Sequence, residues 1–354
     1  MRFIALVAAG GLTLAASACG EKPSENGGTA ASPTGKAYTA CMVTDQGGLD
    51  DKSFNAAAWK GMENAKAKNP NITIKNVQSK TEADYEPNLN GFVQQKCDFI
   101  LAVGGLMSTA LEKVAKANPN QQFGIVDAGS ALPNVHTMQF HTEQASFLAG
   151  YLAGGMSKSG KVGTYGGLKI PPVTIFMDGF ADGVAEYNKA KSKSVQVLGW
   201  DKAKQEGTFT EDFVSPDKGK AKSDAFVAQG ADIVFPVAGK TGTGSASAAK
   251  ASGKFSVIWV DQDGCVSNAE NCAAFLTTVV KNITDSVTDA ITKGAAGEDL
   301  KAPYLGTLAN NGVSLAPFHE WESKVPAELK AEVDKLKADI IAGTVKVESP
   351  AAPK

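Results

Sequence analysis

Short apolar runs typical of buried strands alternate along this chain with longer runs of helical periodicity, and this alternation constrains the fold more than any other feature. The strand-like runs are residues 38–43, 72–77, 99–103, 123–126, 161–165, 195–198, 233–237 and 257–260. The helical runs are residues 54–68, 107–117, 142–156, 173–191 and 278–293. Strands alternating with helices are typical of βαβ units, so we predict an α/β fold with parallel sheets.

The βαβ pattern occurs in two series, which predicts two similar lobes. About four units precede Asp127, and a second series begins after Gly160. About 310 residues remain after the N-terminal region, which is more than one hydrophobic core usually holds. No repeat is visible at the level of individual residues.

Polar residues and glycines stand just beyond the carboxyl ends of predicted strands in both halves of the chain. They are Asp45, Gly104 with Gly105, Asp127, Gly239 and Asp261. Ligands of open α/β sheets bind at these strand ends, and two lobes that face each other there form a cleft. One such aspartate alone is equally well explained as a helix N-cap. Five positions together favour a binding cleft.

The loop that follows the first strand, residues 44–61, carries the richest set of candidate ligand contacts. Asp45, Gln46, Ser53 and Asn55 offer hydrogen-bonding groups, and Phe54 stands among them as a flat apolar surface. An aromatic face beside several polar groups suits a polar molecule that contains a ring better than a bare anion.

The N-terminus has the features of a secretory signal. Arg2 is followed by an apolar core at residues 4–14 and by the small residues 16–18, directly before Cys19. This pattern predicts a lipoprotein that is cleaved before Cys19 and acylated on it, and the alternative is an ordinary signal with an incidental cysteine. Residues 19–36, rich in Gly, Ser, Pro and Thr, are predicted to form a flexible tether.

Four cysteines remain in the exported part of the chain: Cys41, Cys97, Cys265 and Cys272. An even count outside the cytoplasm favours disulfides. Three pairings are open, and the short loop between Cys265 and Cys272 is the natural one, which leaves Cys41 with Cys97. A zinc site is disfavoured because the chain has no CxxC motif and no paired histidines beside these cysteines.

Charge and composition favour a small neutral ligand. The net charge is −2, and no basic run interleaves with aromatic residues, so nucleic acid is not an expected partner. Arg2 is the single arginine, although arginine is the usual residue for bidentate capture of carboxylate or phosphate. Lysines or helix N-termini can substitute for it, and a lineage bias toward lysine is the alternative explanation.

Tests for catalytic motifs give no positive result. Residues 239–241 (GKT) follow a strand, but a P-loop needs glycine where Val234 stands. The chain has no GxSxG motif, and the histidines His136, His141 and His319 have no metalloprotease spacing. Paired carboxylates at 50–51 and at 261 and 263 leave sugar hydrolysis open. We therefore expect that the protein is not an enzyme and that it binds no cofactor and no metal.

The chain resembles the basic membrane protein family of bacterial lipoproteins, which are nucleoside-binding components of ABC transporters. The stretches that carry the resemblance are LDDKSFNAAAWKG, FGIVDAG, QFHTEQASFLAGYLAG, KVGTYGGLKIPPVTIFMDGFADGV, ADIVFPVAG, WVDQD and LTTVVKN. Together they extend over most of residues 38–346. The resemblance implies a type I periplasmic-binding-protein fold, with two Rossmann-like lobes joined by a three-stranded hinge.

The resemblance also implies roles for individual residues. Asp45, Gln46 and Asn55 would line the first lobe's side of the cleft, Phe54 and Phe213 would stack on a purine, Asp127 would bond the base or its neighbours, Gly239 would let the backbone approach the ligand, and Asp261 with Lys281 would clamp the ribose. The family often has glutamine where Gly264 stands here. Phe209 and Phe176 remain alternatives to Phe213 because of a local insertion.

We therefore expect a monomeric, extracytoplasmic receptor that is anchored to the cell membrane by a lipid on Cys19. It would bind a nucleoside, with a purine base favoured, and deliver it to an ABC permease. The predicted lobes are 37–141 with 264–295 and 142–263 with 296–347, followed by a disordered tail at 348–354. The alternatives are a binder of a sugar or another neutral molecule, a nucleoside hydrolase, or a surface lipoprotein with a protein partner.

Overall fold

The computed structural model describes residues 36–354. The predicted signal peptide, the lipidation site at Cys19 and all but the last residue of the tether lie outside this range. The strands are β1 (Tyr38–Thr44), β2 (Ile72–Gln78), β3 (Phe99–Val103), β4 (Gln122–Val126), β5 (Val135–Phe140), β6 (Lys161–Gly166), β7 (Gln196–Leu198), β8 (Trp200–Asp201), β9 (Glu206–Gly207), β10 (Ile233–Val237), β11 (Ser256–Asp261), β12 (Phe275–Lys281), β13 (Tyr304–Gly306) and β14 (Val313–Leu315).

The helices are α1 (Phe54–Lys68), α2 (Tyr85–Gln94), α3 (Ser108–Ala117), α4 (Thr142–Met156), α5 (Pro171–Lys191), α6 (Pro216–Ala228), α7 (Gly242–Ser252), α8 (Gly264–Ser267), α9 (Ile283–Ala296) and α10 (Ala327–Ile341). Within residues 36–354, no helix combines the length and the apolar character that a membrane crossing requires.

Two six-stranded sheets form the centres of two lobes. The first lobe has strand order β13-β5-β4-β3-β1-β2, with every neighbouring pair parallel. The second has order β14-β12-β11-β10-β6-β7, and in it only β14 runs antiparallel to its neighbour. The central strands β3 and β10 are buried throughout because helices cover both faces of each sheet. The predicted α/β fold with parallel sheets is confirmed.

The chain crosses between the lobes at three adjacent places. The crossings follow β5, β12 and β13, at His141, at Asn282 and between Gly306 and Val313. The His141 backbone N–H donates to the Gly306 carbonyl at 2.8 Å, and the Asn282 N–H donates to the Gly312 carbonyl at 2.8 Å. These hydrogen bonds tie the three crossings into the expected hinge.

The lobe boundaries in the second half differ from those predicted. Residues 278–281 were predicted to begin a helix of the first lobe, but they belong to strand β12 (Phe275–Lys281) of the second sheet. The run of Thr277, Thr278, Val279 and Val280 is β-branched and favours a strand, and Asn282 then caps α9 by accepting from the Asp285 N–H. Strand β13, predicted for the second lobe, pairs with β5 of the first.

The C-terminal residues 348–354, predicted to be a disordered tail, instead pack against the second lobe. The Ser349 hydroxyl donates to Asp178 Oδ2 at 2.6 Å, and Lys202 Nζ donates to the Glu348 carbonyl at 2.5 Å. Asp178 on α5 is fully buried and also accepts from Trp200 Nε1 at 2.9 Å. A buried carboxylate needs such donors, so the tail supplies one of the hydrogen bonds that the buried Asp178 requires.

Two disulfides are present in the described residues. Cys41 in β1 pairs with Cys97 just before β3, and Cys265 pairs with Cys272. The favoured pairing is therefore confirmed. Asp263, Cys265 and His319 form the one cluster of potential metal ligands found among residues 36–354. Because the Cys265 sulfur is bonded to Cys272, this cluster is not suited to a metal.

Helices α4 and α5 approach so closely that glycine is required where they cross. A Cβ at Gly183 would lie 1.9 Å from the Phe147 carbonyl oxygen, and one at Gly150 would lie 2.1 Å from the Phe180 carbonyl oxygen. Both neighbours are backbone atoms, so a side-chain rotation cannot relieve either clash.

We predict that Gly183→Ala destabilises the protein by about 1–3 kcal/mol, because overpacking forces the two helices apart. The matched control is Gly91→Ala in α2, where a Cβ would meet nothing within 4 Å. That control should raise stability by about 0.5–1 kcal/mol, since alanine is the better helix former. Urea unfolding of both variants measures the difference, and an unchanged midpoint for Gly183→Ala would contradict the packing argument.

Candidate ligand-binding site

The carboxyl ends of the central strands of both sheets meet around a cavity between the lobes. Ligands of α/β proteins bind at such strand ends. The lining residues are Asp45, Gly47, Asp51, Phe54, Asn55, Gly104, Gly105, Leu106, Asp127, Ile170, Pro172, Val173, Phe176, Phe213, Val237, Ala238, Gly239, Val260, Asp261 and Lys281. The cavity is thus an apolar chamber with a few charged groups.

The structure brings eight of the nine predicted site residues into this lining. They are Asp45, Phe54, Asn55, Asp127, Phe213, Gly239, Asp261 and Lys281. Gln46 is half-buried and lies outside the lining.

Asp127 and Asp261 occupy equivalent positions in the two lobes. Asp127 directly follows β4, and Asp261 is the last residue of β11. Both have a backbone φ of 67°, a left-handed conformation that is uncommon for residues other than glycine. Strained backbone of this kind concentrates at functional sites. The shared conformation directs two carboxylates, one from each lobe, into the cavity.

Lys281 lies between these two carboxylates. Its Nζ is 2.6 Å from Asp127 Oδ2 and 3.5 Å from Asp261 Oδ1, and the residue is 3% exposed. The Nζ also lies 4.7 Å from the ring centroid of Phe54, close enough for a cation–π contact. Lys281 was predicted on a helix, but it is the last residue of β12. Its burial shows that Lys281 is not a solvated surface residue.

Burial raises the pKa of the acidic groups around Lys281 above their ordinary values. Burial raises the pKa of Asp261 to about 6; the Lys281 charge opposes this shift, and the carboxylates of Asp127 and Asp51 add to it. Burial also raises the pKa of Asp127 against the attraction of Lys281. For Lys281 itself, the two carboxylates outweigh burial and raise the pKa.

Two buried polar atoms of the lining have no hydrogen-bond partner among residues 36–354. They are Asn55 Oδ1 and Asp261 Oδ1, and the latter has only the ion-pair contact with Lys281 Nζ at 3.5 Å. Buried polar atoms are nearly always hydrogen-bonded in native proteins, so an unpaired acceptor in a cavity wall indicates a place for a ligand donor. Both atoms are acceptors, which makes the chamber suited to a molecule that carries hydroxyl or N–H groups.

Three phenylalanines supply the flat apolar walls. Phe54, Phe176 and Phe213 line the cavity, whereas Phe209 packs edge-on against Trp200 with ring centroids 6.1 Å apart and does not. Phe213 lies against Gly167, where a Cβ would come within 2.2 Å of its ring. Of the three candidates from the second lobe, Phe209 is therefore removed, and Phe176 and Phe213 both face the chamber.

Contacts across the cleft close the chamber over the loop between β1 and α1. Lys240 of the second lobe is 2.7 Å from Asp50 of the first. Gln262 Nε2 donates to the Ser53 carbonyl at 2.8 Å, and Trp259 Nε1 donates to the Lys52 carbonyl at 3.2 Å. The structure thus has the closed arrangement of the lobes.

Sequence reasoning missed part of the site. Asp51 was seen only as one of two adjacent carboxylates, yet it lines the cavity and is 1% exposed. The apolar wall from Ile170, Pro172 and Val173 was also missed. The position of these residues in the sequence could have indicated this wall. They lie at the proline-marked start of α5, which comes soon after the carboxyl end of strand β6.

The family described as "ABC transporter substrate-binding protein PnrA-like" (Bmp) matches residues 38–349, which include every residue of the cavity lining. The chain belongs to the Bmp family. A Bmp protein is the solute-binding component of an ABC transporter and works with a membrane permease, so this chain is not an enzyme.

Two relatives have matches that extend over most of their length. A Listeria innocua protein named CD4+ T-cell-stimulating antigen is 31% identical, over 97% of this Bmp protein and 96% of the relative. A Lactococcus lactis protein named ABC transporter nucleoside-binding protein BmpA is 31% identical, over 90% of this chain and 92% of the relative.

Solved structures show the same fold. The ABC transporter solute-binding protein from Aeropyrum pernix has a TM-score of 0.81 and 23% identity, and the match covers 88% of this chain and 94% of that one. The two-lobed Bmp protein therefore has the periplasmic-binding-protein fold that the sequence resemblance implied.

We predict that Lys281→Met lowers the free energy of unfolding by about 3–5 kcal/mol at pH 7.5, because two buried carboxylates lose their cation. Carboxyl groups with a raised pKa destabilise the fold as pH rises through that pKa, so the deficit should shrink at pH 5, where Asp261 is largely protonated. Denaturant unfolding at both pH values measures this.

The matched control for Lys281→Met is Lys293→Met, which removes an exposed pair with Asp289 and should change stability by less than about 0.5 kcal/mol. Equal losses for the two variants would show that Lys281 is not the counter-ion of the cavity.

Proposed function

We propose that this Bmp protein is a lipid-anchored, extracytoplasmic receptor that binds a nucleoside, with a purine base favoured, and presents it to an ABC permease. The observation that carries the proposal is the buried Lys281 between Asp127 and Asp261, set beside aromatic walls in one closed cavity. This arrangement combines a site for hydroxyl groups with a site for a flat ring.

The sugar part of the ligand is assigned to Asp261 and Lys281. Asp261 Oδ1 is buried without a hydrogen-bond partner among the described residues, and a carboxylate accepts from vicinal hydroxyls. Lys281 Nζ lies 3.5 Å from the same oxygen, where it keeps the carboxylate ionised and donates to a hydroxyl oxygen. Two neighbouring ribose hydroxyls satisfy both groups at once.

The base is assigned to the aromatic walls. Phe54 comes from the first lobe, and Phe213 and Phe176 come from the second, so closure brings rings to opposite sides of the ligand. Stacking on an aromatic side chain contributes about 1–3 kcal/mol per base. Either second-lobe ring fits this role.

Charge argues against a phosphorylated ligand. Asp45, Asp51, Asp127 and Asp261 line the cavity, and Lys281 is the one basic residue of that lining. Residues 36–354 contain no arginine, so they cannot offer the paired hydrogen bonds that an arginine guanidinium makes to a phosphate. A neutral nucleoside avoids the repulsion that a nucleotide would meet.

The extracytoplasmic location rests on two features of the chain. The N-terminal sequence ends its apolar core with small residues directly before Cys19, as a lipidated signal does. The two disulfides of the described residues suit an oxidising compartment. A lipid on Cys19 would hold the protein at the membrane face where its permease lies.

The direct test of the proposal is isothermal titration of residues 36–354 after unfolding and refolding, which removes any ligand carried through purification. The panel is inosine, guanosine, adenosine, cytidine, uridine, ribose and free adenine. We expect nucleosides to bind tightly and ribose and adenine to bind weakly, because each fragment fills only half of the site. Binding of ribose alone would favour a sugar receptor, and silence across the panel with folded protein would overturn the nucleoside assignment.

We predict that Asp261→Asn weakens binding of the best nucleoside by about 1–3 kcal/mol, roughly five- to 150-fold, because the variant loses the charged acceptor for the hydroxyl groups. Asparagine tolerates the left-handed backbone at this position, so the fold is preserved. The control Asp263→Asn lies two residues on, outside the cavity lining, and should bind within twofold of wild type. Unchanged affinity in Asp261→Asn would contradict the assignment of Asp261 to the ribose hydroxyls.

A further inference from the structure

Asp51 lines the cavity, but the proposed function gives it no role. It is 1% exposed and lies just before the first residue of α1. Its Oδ1 accepts from the backbone N–H groups of Ser53 and Ala56, at 3.0 and 3.1 Å, and its Oδ2 accepts from the Asn55 N–H at 2.7 Å. The residue therefore binds the first turn of α1 from outside the helix.

The side-chain amide of Asn55 is held by two carboxylates. Its Nδ2 donates to Asp45 Oδ1 at 2.7 Å and to Asp51 Oδ2 at 3.2 Å. Each of these oxygens also accepts a backbone N–H, from Gly47 at 3.1 Å and from Asn55 itself. While these acids are ionised, both oxygens act only as acceptors, and the amide must present its nitrogen to them.

The orientation of the Asn55 amide decides which of its atoms is left for a ligand. The residue is 1% exposed and lines the cavity, and its Oδ1 has no hydrogen-bond partner among residues 36–354. With both N–H groups of the amide engaged, Oδ1 is the one remaining polar atom of that side chain. It is an acceptor and cannot become a donor unless the amide rotates away from both carboxylates.

We propose that Asp51 is a positioning residue that fixes the Asn55 amide so that the site reads an N–H donor on the six-membered ring of the base. The inference rests on the proposed nucleoside function. Inosine and guanosine carry such a donor at N1, and adenosine carries one on its amino group. Purine riboside has the same ring system and sugar but no donor on the six-membered ring.

A site with a fixed acceptor rejects a ligand that lacks the matching donor, because the buried acceptor then remains unpaired. We therefore expect wild-type protein to bind inosine or adenosine, whichever is tighter, at least tenfold more strongly than purine riboside. Both ligands carry the same sugar and the same ring system, so the ratio of the two affinities reports mainly on the fixed acceptor.

The decisive variant is Asp51→Ser, whose short hydroxyl can still cap a helix but does not reach the Asn55 side-chain amide as Asp51 Oδ2 does at 3.2 Å. With Asp45 left as the one carboxylate that holds this amide, the ratio should fall to about threefold or less. The control is Asp84→Ser, since Asp84 also accepts backbone N–H groups, from Lys80 and Thr81, but lies outside the cavity lining. Its ratio should equal that of wild type.

The outcomes separate the two proposals. Equal weakening of both ligands by Asp51→Ser, with the ratio kept, would show that Asp51 only stabilises α1 and would overturn the positioning role. Failure of wild-type protein to bind any nucleoside would overturn the proposed function instead.

A measurement on the free protein tests the amide lock without any variant. The two Nδ2 protons of Asn55 in nitrogen-15-labelled wild type should exchange with water at least tenfold more slowly than those of the exposed Asn311. Exchange as fast as that of Asn311 would show that the amide is not held, and the positioning role would fall.

Discussion

The structure depends on one buried cation. Lys281 is the one basic side chain in a chamber that also contains four carboxylates, and it lies 2.6 Å from Asp127 and 3.5 Å from Asp261. Burying this many acids is costly unless they are paired or hydrogen-bonded. The lysine offsets that cost from the end of β12, while backbone N–H groups and Asn55 satisfy Asp45 and Asp51. The remaining unpaired acceptors are what a ligand can use.

The fold could be predicted from the sequence to the extent that local pattern reflects burial. Strands β1, β3 and β10 have continuous apolar runs, and their prediction was correct because both faces of these strands are covered. Strand β12 was misread as the start of a helix, since its β-branched run leads directly into the α9 pattern at Ile283. The tail at 348–354 was misread because its order comes from a distant partner, Asp178, which no local pattern contains.

Part of the site could be predicted from the position of polar residues relative to the strands. Polar residues just beyond strand ends pointed to Asp45, Asp127 and Asp261, because the carboxyl ends of parallel strands meet at one edge of a sheet. Lys281 came only from the family resemblance, since its meaning depends on the two aspartates across the cavity. Asp51 was overlooked because its role is carried by hydrogen bonds to Asn55 and to backbone, and sequence alone does not show which acid of a pair is buried.

The position of Lys281 beside the hinge has a consequence for how the protein moves. Lys281 and Asp261 end neighbouring strands of the same sheet, so opening of the cleft leaves their separation unchanged, whereas Asp127 belongs to the other lobe. Opening of the cleft would therefore separate Lys281 from Asp127 and keep it beside Asp261. The Lys281–Asp127 ion pair is thus a contact between the lobes that belongs to the closed arrangement, so the same lysine that neutralises the cavity also helps to hold the two lobes together.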